Sequence, residues 1–170
     1  MPGRHAVWLV PDEAGRIRLA SMIDRLARAH ATPSFPPHVS LLAGVSLGPD
    51  ELHVRLGRLA LEMRALAVTL GPTRHAAELY RAVTLEVDGP RLAEAHARAA
   101  AVFGRPADPA FAAHLSLVYG DLPEAVRESI VGEIARGLDG PCTLDRLDLV
   151  RTEGPPPSWR CLHTIPLPPS

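Results

Sequence analysis

The sequence predicts an α+β protein with two similar lobes, each a β-α-β-α-β unit, whose antiparallel-rich sheets face each other across a central cleft with the helices outside. Three observations support this prediction. The frame Phe-x-x-His-x-Ser-Leu-x-x-Gly occurs twice, at about 35–44 and 111–120, 76 positions apart. The same offset aligns HAVWLVPD (5–12) with RAVTLEVD (81–88) at four identical positions. Helical and strand patterns then alternate in the same order in both halves.

The first copy begins with the strand at 5–12, a short β-prone run that ends at an acidic turn. A helix over about 14–31 follows, and the motif at 35–44 is the next strand. One face of this helix is predicted to hold Ile17, Ala20, Ile23 and Ala27. A second helix begins at about 49–51 and carries Leu52, Leu56 and Leu59. A strand at about 65–70 completes the unit.

The second copy repeats this order and adds one strand. Its strands are predicted at 81–88, 111–120, 143–152 and 160–166. A helix beginning at Pro90 presents Leu92, Ala95, Ala99 and Val102. The next helix begins at about 121–124 and presents Val126, Ile130, Ile134 and Leu138. No linker separates the copies, so we expect residues 1–170 to form a single domain of two pseudo-symmetric lobes.

Composition limits the possible partners. All 18 basic residues are arginine, and Lys, Asn and Gln are absent, which indicates a coding bias rather than a function. The net charge is −1, divided as +3 up to Ala76 and −4 beyond it. Neither half has the dense basic patch of a protein that tracks long nucleic acid, whereas a small phosphate-bearing ligand needs only a local site.

The cysteines and apolar runs indicate a cytoplasmic protein without membrane contact. Cys142 and Cys161 form neither a disulfide framework nor a zinc spacing, which suggests free thiols in a reducing compartment. The first apolar run ends at Pro11, well before the length of a signal peptide, and no stretch approaches a membrane span. We expect a soluble monomer.

The two motifs predict a site for phosphoryl chemistry. Side chains alternate along a strand, so His38 and Ser40 point to one face, as do His114 and Ser116. One imidazole can activate water while the other protonates the departing oxygen of a cyclic phosphodiester, and the hydroxyls can donate to the phosphoryl oxygens. Two imidazoles and two hydroxyls suit neither Mg²⁺ nor Zn²⁺, so no metal or other cofactor is expected. Each motif serine shares a strand with its histidine rather than facing it, which argues against a serine-hydrolase site.

The doubled motif resembles that of the 2H phosphoesterase superfamily. Within it, SFPPHVSLL and AAHLSLVYGDL are similar to the motif segments of the compact cyclic nucleotide phosphodiesterases of plants and yeast. AVWLVPD and SWRCLHTIPL resemble the first and last strands of that group. The resemblance implies hydrolysis of nucleoside 2′,3′-cyclic phosphates to 2′-phosphates and of ADP-ribose 1″,2″-cyclic phosphate to the 1″-phosphate. Such compounds are by-products of RNA and tRNA splicing.

The resemblance also implies individual roles. His38 and His114 become the acid and base, with His114 acting on water and His38 on the leaving oxygen, and Ser40 and Ser116 bind the phosphate. Trp8 and Tyr119 occupy positions like those of the nucleoside-contacting aromatics of the family. Both could instead be packing residues, and the parity of Tyr119 brings it to the cleft only where its strand ends or bulges near Val118.

Arg81 is a further candidate for the site. It shares parity with apolar residues of its strand, and a buried arginine needs an anionic partner such as a phosphate. An arginine at a strand end that reaches solvent is an equally good interpretation. Two other functions stay open: RNA end processing of the 2′-5′ ligase type, and a non-catalytic module that binds phosphonucleotides or RNA. The net charge of −1 argues against the first and the two complete motifs against the second.

Overall fold

The computed structural model describes residues 4–134 and 137–170. In this part of the chain, seven strands and four α-helices follow the predicted order, which confirms the α+β class. The first copy contains β1 (His5–Pro11), α1 (Glu13–His30), β2 (Val39–Val45), α2 (Pro49–Leu61) and β3 (Leu66–His75). The second contains β4 (Val83–Asp88), α3 (Leu92–Val102), β5 (His114–Val118), α4 (Glu124–Ile134), β6 (Gly140–Arg151) and β7 (Arg160–Pro166).

All strands pair antiparallel in one sheet with the order β1-β2-β5-β4-β3-β6-β7, which closes because β1 also pairs with β6. The two predicted sheets are therefore the halves of one closed sheet. The third strand of each copy pairs with the first strand of the other: β3 with β4, and β6 with β1. Without this exchange, each copy would have strand edges with no partner. With it, each of these edges is hydrogen-bonded to a neighbouring strand.

The motif strands β2 and β5 lie next to each other at the centre of this arrangement. Val39 of β2 is paired with Leu115 of β5. Both side chains are fully buried in the main apolar core, together with the leucines of the helices. The alternate residues of both strands, which include Ser40 and Ser116, therefore project from the opposite face of the sheet.

The helices cover the core face of the sheet, largely with the predicted residues. The apolar faces predicted for α2 and α3 are buried as expected. The face predicted for α1 is partly wrong, because Ile17 is 59% exposed and the helix buries Leu19 and Leu26 beside Ile23. The predicted face is rotated toward solvent relative to the buried one, because alanines at helical spacing fit either side of the helix. In the described residues, none of the helices has the length and apolarity needed to traverse a membrane.

Candidate active site

A cavity of about 380 Å³ opens on the face of the sheet that the helices leave free. Its lining contains all seven residues that the sequence suggests for a site: Trp8, His38, Ser40, Arg81, His114, Ser116 and Tyr119. The fold therefore brings together segments from both copies of the repeat. His38 directly precedes β2 and is buried, whereas His114 begins β5 and is half-buried.

The two imidazoles are held in the same way. Nδ1 of His38 lies 2.8 Å from the carbonyl oxygen of Pro36, and Nδ1 of His114 lies 3.2 Å from that of Ala112. A carbonyl oxygen only accepts hydrogen bonds, so Nδ1 carries the proton in both neutral rings and Nε2 keeps its lone pair. Because Pro36 and Ala112 occupy equivalent positions of the motif, the repeat fixes the same tautomer twice.

The two histidines differ in how strongly burial lowers the pKa. Desolvation lowers the pKa of His38 to about 4, although its bond to Pro36 opposes this change, and the proximity of His114 lowers the pKa further. The pKa of His114 is also lowered, first by burial and then by the charge of Arg81, against the opposing bond to Ala112. Both imidazoles are therefore mainly neutral at pH 7, and His38 holds a proton less readily.

The two serines occupy equivalent positions with different hydrogen bonding. Ser116 is buried, and its hydroxyl donates to the carbonyl oxygen of Tyr80 at 2.8 Å. Ser40 is half-buried, and no hydrogen bond of its hydroxyl is found among the described residues. Ser40 can therefore donate to a bound phosphate directly, whereas the Ser116 hydroxyl has to rotate away from Tyr80 first.

Trp8 and Tyr119 both pack around His38. The indole of Trp8 stacks on the imidazole with ring centroids 3.5 Å apart and an interplanar angle of 8°. Tyr119 reaches the cavity because β5 ends at Val118, and its hydroxyl lies 3.4 Å from Nε2 of His38. Tyr119 also stacks on Phe35, with centroids 3.7 Å apart. Both aromatic residues thus help to bury His38 as well as line the cavity.

Arg81 lines the cavity for a different reason from the one its parity suggests. It lies in the turn before β4, which begins only at Val83, and its side chain is 48% exposed. Its Nε lies 3.8 Å from a carboxylate oxygen of Glu78. Of the two interpretations, the structure supports the arginine that reaches solvent rather than the buried one, and the turn before β4 brings this cation to the edge of the cavity beside His114.

Tyr80 and Trp159 also line the cavity, although the sequence suggested only packing for them. Tyr80 is 47% exposed, and its ring centroid lies 5.9 Å from that of Trp159. Trp159 is half-buried, and its Nε1 donates to the carbonyl oxygen of Gly154. The scarcity of aromatics, 4% of the chain, was the signal that could have identified them. Arg4 and Thr152 complete the rim without any such signal.

The donor set of the cavity consists of imidazoles, hydroxyls and two guanidiniums at its edge, those of Arg4 and Arg81. In the described part of the chain, no three His, Cys, Asp or Glu side chains converge to hold a metal ion. Two neutral imidazoles with unprotonated Nε2 atoms, of which that of His38 accepts from the Tyr119 hydroxyl, can exchange protons with a ligand held between them. Hydroxyls and a cation beside them can bind an anion. The arrangement is thus suited to proton transfer at a bound phosphate.

Comparisons with known proteins identify the family of the chain and relatives of its fold. A family model described as the 2′-5′ RNA ligase superfamily matches residues 10–156. A curated protein of Arabidopsis thaliana, named cyclic phosphodiesterase, is 25% identical over 154 residues, which cover 88% of this chain and 85% of that protein. The crystal structure of apo LigT of E. coli has a TM-score of 0.64 at 16% identity and 98% coverage of both chains. That of TT0787 of Thermus thermophilus has a TM-score of 0.63 at 14% identity and the same coverage.

Proposed function

Because this chain belongs to the 2′-5′ RNA ligase superfamily of 2H phosphoesterases, we propose that it hydrolyses cyclic phosphodiesters by two-histidine acid/base catalysis without a metal. The substrates are nucleoside 2′,3′-cyclic phosphates, converted to 2′-phosphates, and ADP-ribose 1″,2″-cyclic phosphate, converted to the 1″-phosphate. The main support is the pair of repeat-related histidines, each fixed by a carbonyl through Nδ1, at a single cavity. The cavity volume of about 380 Å³ is in the range of small-molecule sites.

The proposed step is an in-line displacement at phosphorus. The base takes a proton from water, whose oxygen forms a new bond to phosphorus, and the bond to the ribose 3′ oxygen breaks. The acid protonates that oxygen, so the phosphate stays on the 2′ oxygen. Ser40 and Ser116 donate hydrogen bonds to the non-bridging oxygens, where negative charge accumulates in the transition state.

The order of base and acid has two indications that disagree. The family resemblance assigns water activation to His114 and leaving-group protonation to His38. Burial favours the opposite order, because His38 has its pKa lowered to about 4 and is the more firmly neutral imidazole of the two. A neutral imidazole accepts a proton, and the group with the higher pKa carries one. We therefore propose His38 as the base and His114 as the acid.

The aromatic residues support a nucleoside ligand. The rings of the exposed Tyr80 and the half-buried Trp159 at the rim can stack on a base, and we propose this role beside contacts from Trp8 and Tyr119. Arg81, whose charge acts on His114 across the shared cavity lining, is proposed to pair with a phosphate. Among the structural relatives, E. coli LigT has been crystallised with 3′-AMP and with ATP. We place the activity in the cytoplasm, on by-products of RNA and tRNA splicing, in a monomeric protein.

Ligation or processing of RNA ends is the second candidate, because the matching family model is described by a 2′-5′ RNA ligase activity. Such a protein binds a long polyanion, which a chain with a net charge of −1 attracts poorly. A non-catalytic nucleotide-binding module is the third candidate. It has no need for two imidazoles held in the same tautomer, so the paired histidines favour catalysis.

The direct test is turnover in excess EDTA of a panel of 2′,3′-cyclic mononucleotides and ADP-ribose 1″,2″-cyclic phosphate. We expect His38→Ala and His114→Ala each to lower kcat at least about 10²-fold, the usual contribution of a general acid or base. The matched control is His53→Ala, which removes an exposed histidine of α2 outside the cavity and leaves the rate unchanged.

The outcomes separate the three candidates. Turnover in chelator that requires both histidines, with a 2′-phosphate as the product, supports the proposal. Tight binding of the same nucleotides without turnover would favour the binding module. Joining or cleavage of RNA ends, with no turnover of the small cyclic phosphates, would favour the ligase-like activity.

A further inference from the structure

The repeat places different residues at one pair of equivalent positions in the cleft. Trp8 and Thr84 are 76 positions apart, and each is paired across the sheet with the serine of its own motif. Trp8 lies opposite Ser40 and covers one face of the imidazole of His38. Thr84, opposite Ser116, has no ring with which to cover His114 in the same way.

A second cavity of about 580 Å³ lies at this place in the second half. Thr84, Arg81 and His114 contribute to its lining, and the last two also line the first cavity. The two cavities therefore meet at His114 and Arg81. His38 is enclosed by Trp8 and Tyr119, whereas His114 has open space on two sides.

The lining of the second cavity suits a neutral polar group. Its charged side chains are largely paired: Nε of Arg74 lies 2.7 Å from a carboxylate oxygen of Glu86, and Arg81 is near Glu78. Phe111 adds an aromatic side chain to the lining. Nδ1 of the half-buried His75, another lining residue, is shielded from solvent and has no hydrogen-bond partner among the described residues. A nucleoside offers both the flat apolar surface and the hydrogen-bonding edge that such a lining can use.

We propose that this second cavity is a subsite for a nucleoside that is joined through phosphate to the 5′ oxygen of the ribose bearing the cyclic phosphate. This inference rests on the proposed function and narrows its substrate class. The cyclic phosphate lies between the histidines, and Arg81, at the junction of the cavities, faces the linking phosphate. Two ligands share this chemistry: the dinucleotide end of an RNA and ADP-ribose 1″,2″-cyclic phosphate. The protein then prefers either of them to a cyclic mononucleotide.

The test compares kcat/KM for three substrates: 2′,3′-cyclic AMP, the dinucleotide ApA with a 2′,3′-cyclic phosphate, and ADP-ribose 1″,2″-cyclic phosphate. Ala93→Trp fills the second cavity from the exposed surface of α3. Thr84→Trp fills it from the sheet and copies the first half. Ala97→Trp is the matched control, because Ala97 is exposed one turn further along α3 and outside the cavity lining.

We expect the wild-type protein to favour an extended substrate over 2′,3′-cyclic AMP by about tenfold, which is the effect of one stacked base. Ala93→Trp and Thr84→Trp should remove most of this preference, and Ala97→Trp should keep it. Preference for ApA cyclic phosphate would identify RNA ends as the source, and preference for the ADP-ribose compound would identify the other source.

Two results would contradict the proposed subsite, and both can be distinguished from a result that contradicts the proposed function. Equal kcat/KM for all three substrates, or a preference that survives Ala93→Trp in a folded protein, would show that the second cavity binds no part of the substrate. Absence of turnover for all three substrates would refute the proposed function itself. Circular dichroism establishes whether each variant is folded. If Thr84→Trp, which changes a buried residue, does not fold, the comparison rests on Ala93→Trp.

Discussion

The chemistry of His38 depends on its neighbours more than on its own motif. Trp8 covers the imidazole face, Tyr119 lies beside Nε2, and the carbonyl of Pro36 fixes Nδ1. His114 has an equivalent carbonyl bond but no equivalent of Trp8. Two identical motif residues therefore differ in burial and in pKa, which is the difference that acid/base catalysis requires.

The order of acid and base can be tested with a substrate whose leaving group needs no proton. Bis(4-nitrophenyl) phosphate releases a nitrophenolate, so loss of the general acid costs little with it. If His114 is the acid, His114→Ala should retain activity on this diester while losing about 10²-fold on 2′,3′-cyclic AMP. His38→Ala, without the base, should be impaired on both substrates. Rescue of His38→Ala rather than His114→Ala by the activated diester would restore the order implied by the family.

The buried His38 should also make stability depend on pH. Its pKa is 6.5 in the unfolded chain and about 4 in the folded one, so the unfolded chain binds more protons in between. The contribution of the neutral His38 to the free energy of unfolding should be fully present above pH 6.5. It should decrease as the pH is lowered, so that the free energy of unfolding is smaller by on the order of 3 kcal/mol at pH 4. His114, whose pKa is also lowered, adds a loss of the same sign.

Urea unfolding of the wild-type protein and of His38→Gln between pH 4 and 7.5 measures this contribution. The variant lacks the titrating ring, so its curve should be flatter over the same window. His53→Gln, which changes an exposed histidine, should keep the wild-type slope. Parallel curves for wild type and His38→Gln would show that His38 is not desolvated in the folded protein.

At the level of the elements, the two copies begin their helices differently. Asp12 and Asp88 are equivalent in the repeat, and Asp12 caps α1 by accepting a hydrogen bond from the amide of Gly15 at 2.9 Å. Helix α3 begins later, after Arg91, without a side-chain cap. Both copies thus have an aspartate at the end of the first strand, but only in the first copy does its carboxylate cap the following helix.

Asp12→Ala should therefore destabilise the protein more than Asp88→Ala. Loss of an N-cap acceptor costs about 1 kcal/mol, whereas the exposed Asp88 caps no helix. Chemical denaturation of the two variants at pH 7 gives the comparison, since both substitutions remove one carboxylate from equivalent positions. Equal losses would mean that the bond from Gly15 contributes nothing to stability.

At the level of the whole molecule, the exchange of third strands joins the two copies. Strand β3 lies between β4 and β6 of the second copy, and β6 pairs with β1 of the first. Neither copy can complete its own part of the sheet. On this basis we propose that the chain is a single folding unit, as the absence of a linker suggests.

Fragments 1–76 and 77–170 should consequently be unfolded when produced separately. Each would expose the apolar face and strand edges that the other copy covers. The intact chain should unfold in one cooperative transition, with the same midpoint by far-ultraviolet circular dichroism and by tryptophan fluorescence. A folded fragment with dispersed amide resonances, or two separate transitions, would contradict the single folding unit.

Much of the architecture could be predicted because the duplication repeats each signal. The 76-residue offset identified two equivalent pairs of strands, 5–12 with 81–88 and 35–44 with 111–120, and helical spacing predicted the buried faces of α2 and α3. The α1 face was misassigned because its alanines fit either side of the helix. Tyr80 and Trp159 were missed as cavity residues because loops carry no periodicity from which orientation can be inferred.

The sequence alone determined the α+β repeat, the family and the four motif residues, His38, Ser40, His114 and Ser116, that converge on the first cavity. It could do so because alternation along a strand places His and Ser on one face wherever the strand is paired. Only the tertiary structure decided that the sheet closes by strand exchange and that Trp8 buries His38. It also decided that Thr84 leaves the second half open beside His114. These features depend on which residues become neighbours across the sheet, and contacts between distant segments are not encoded in local pattern.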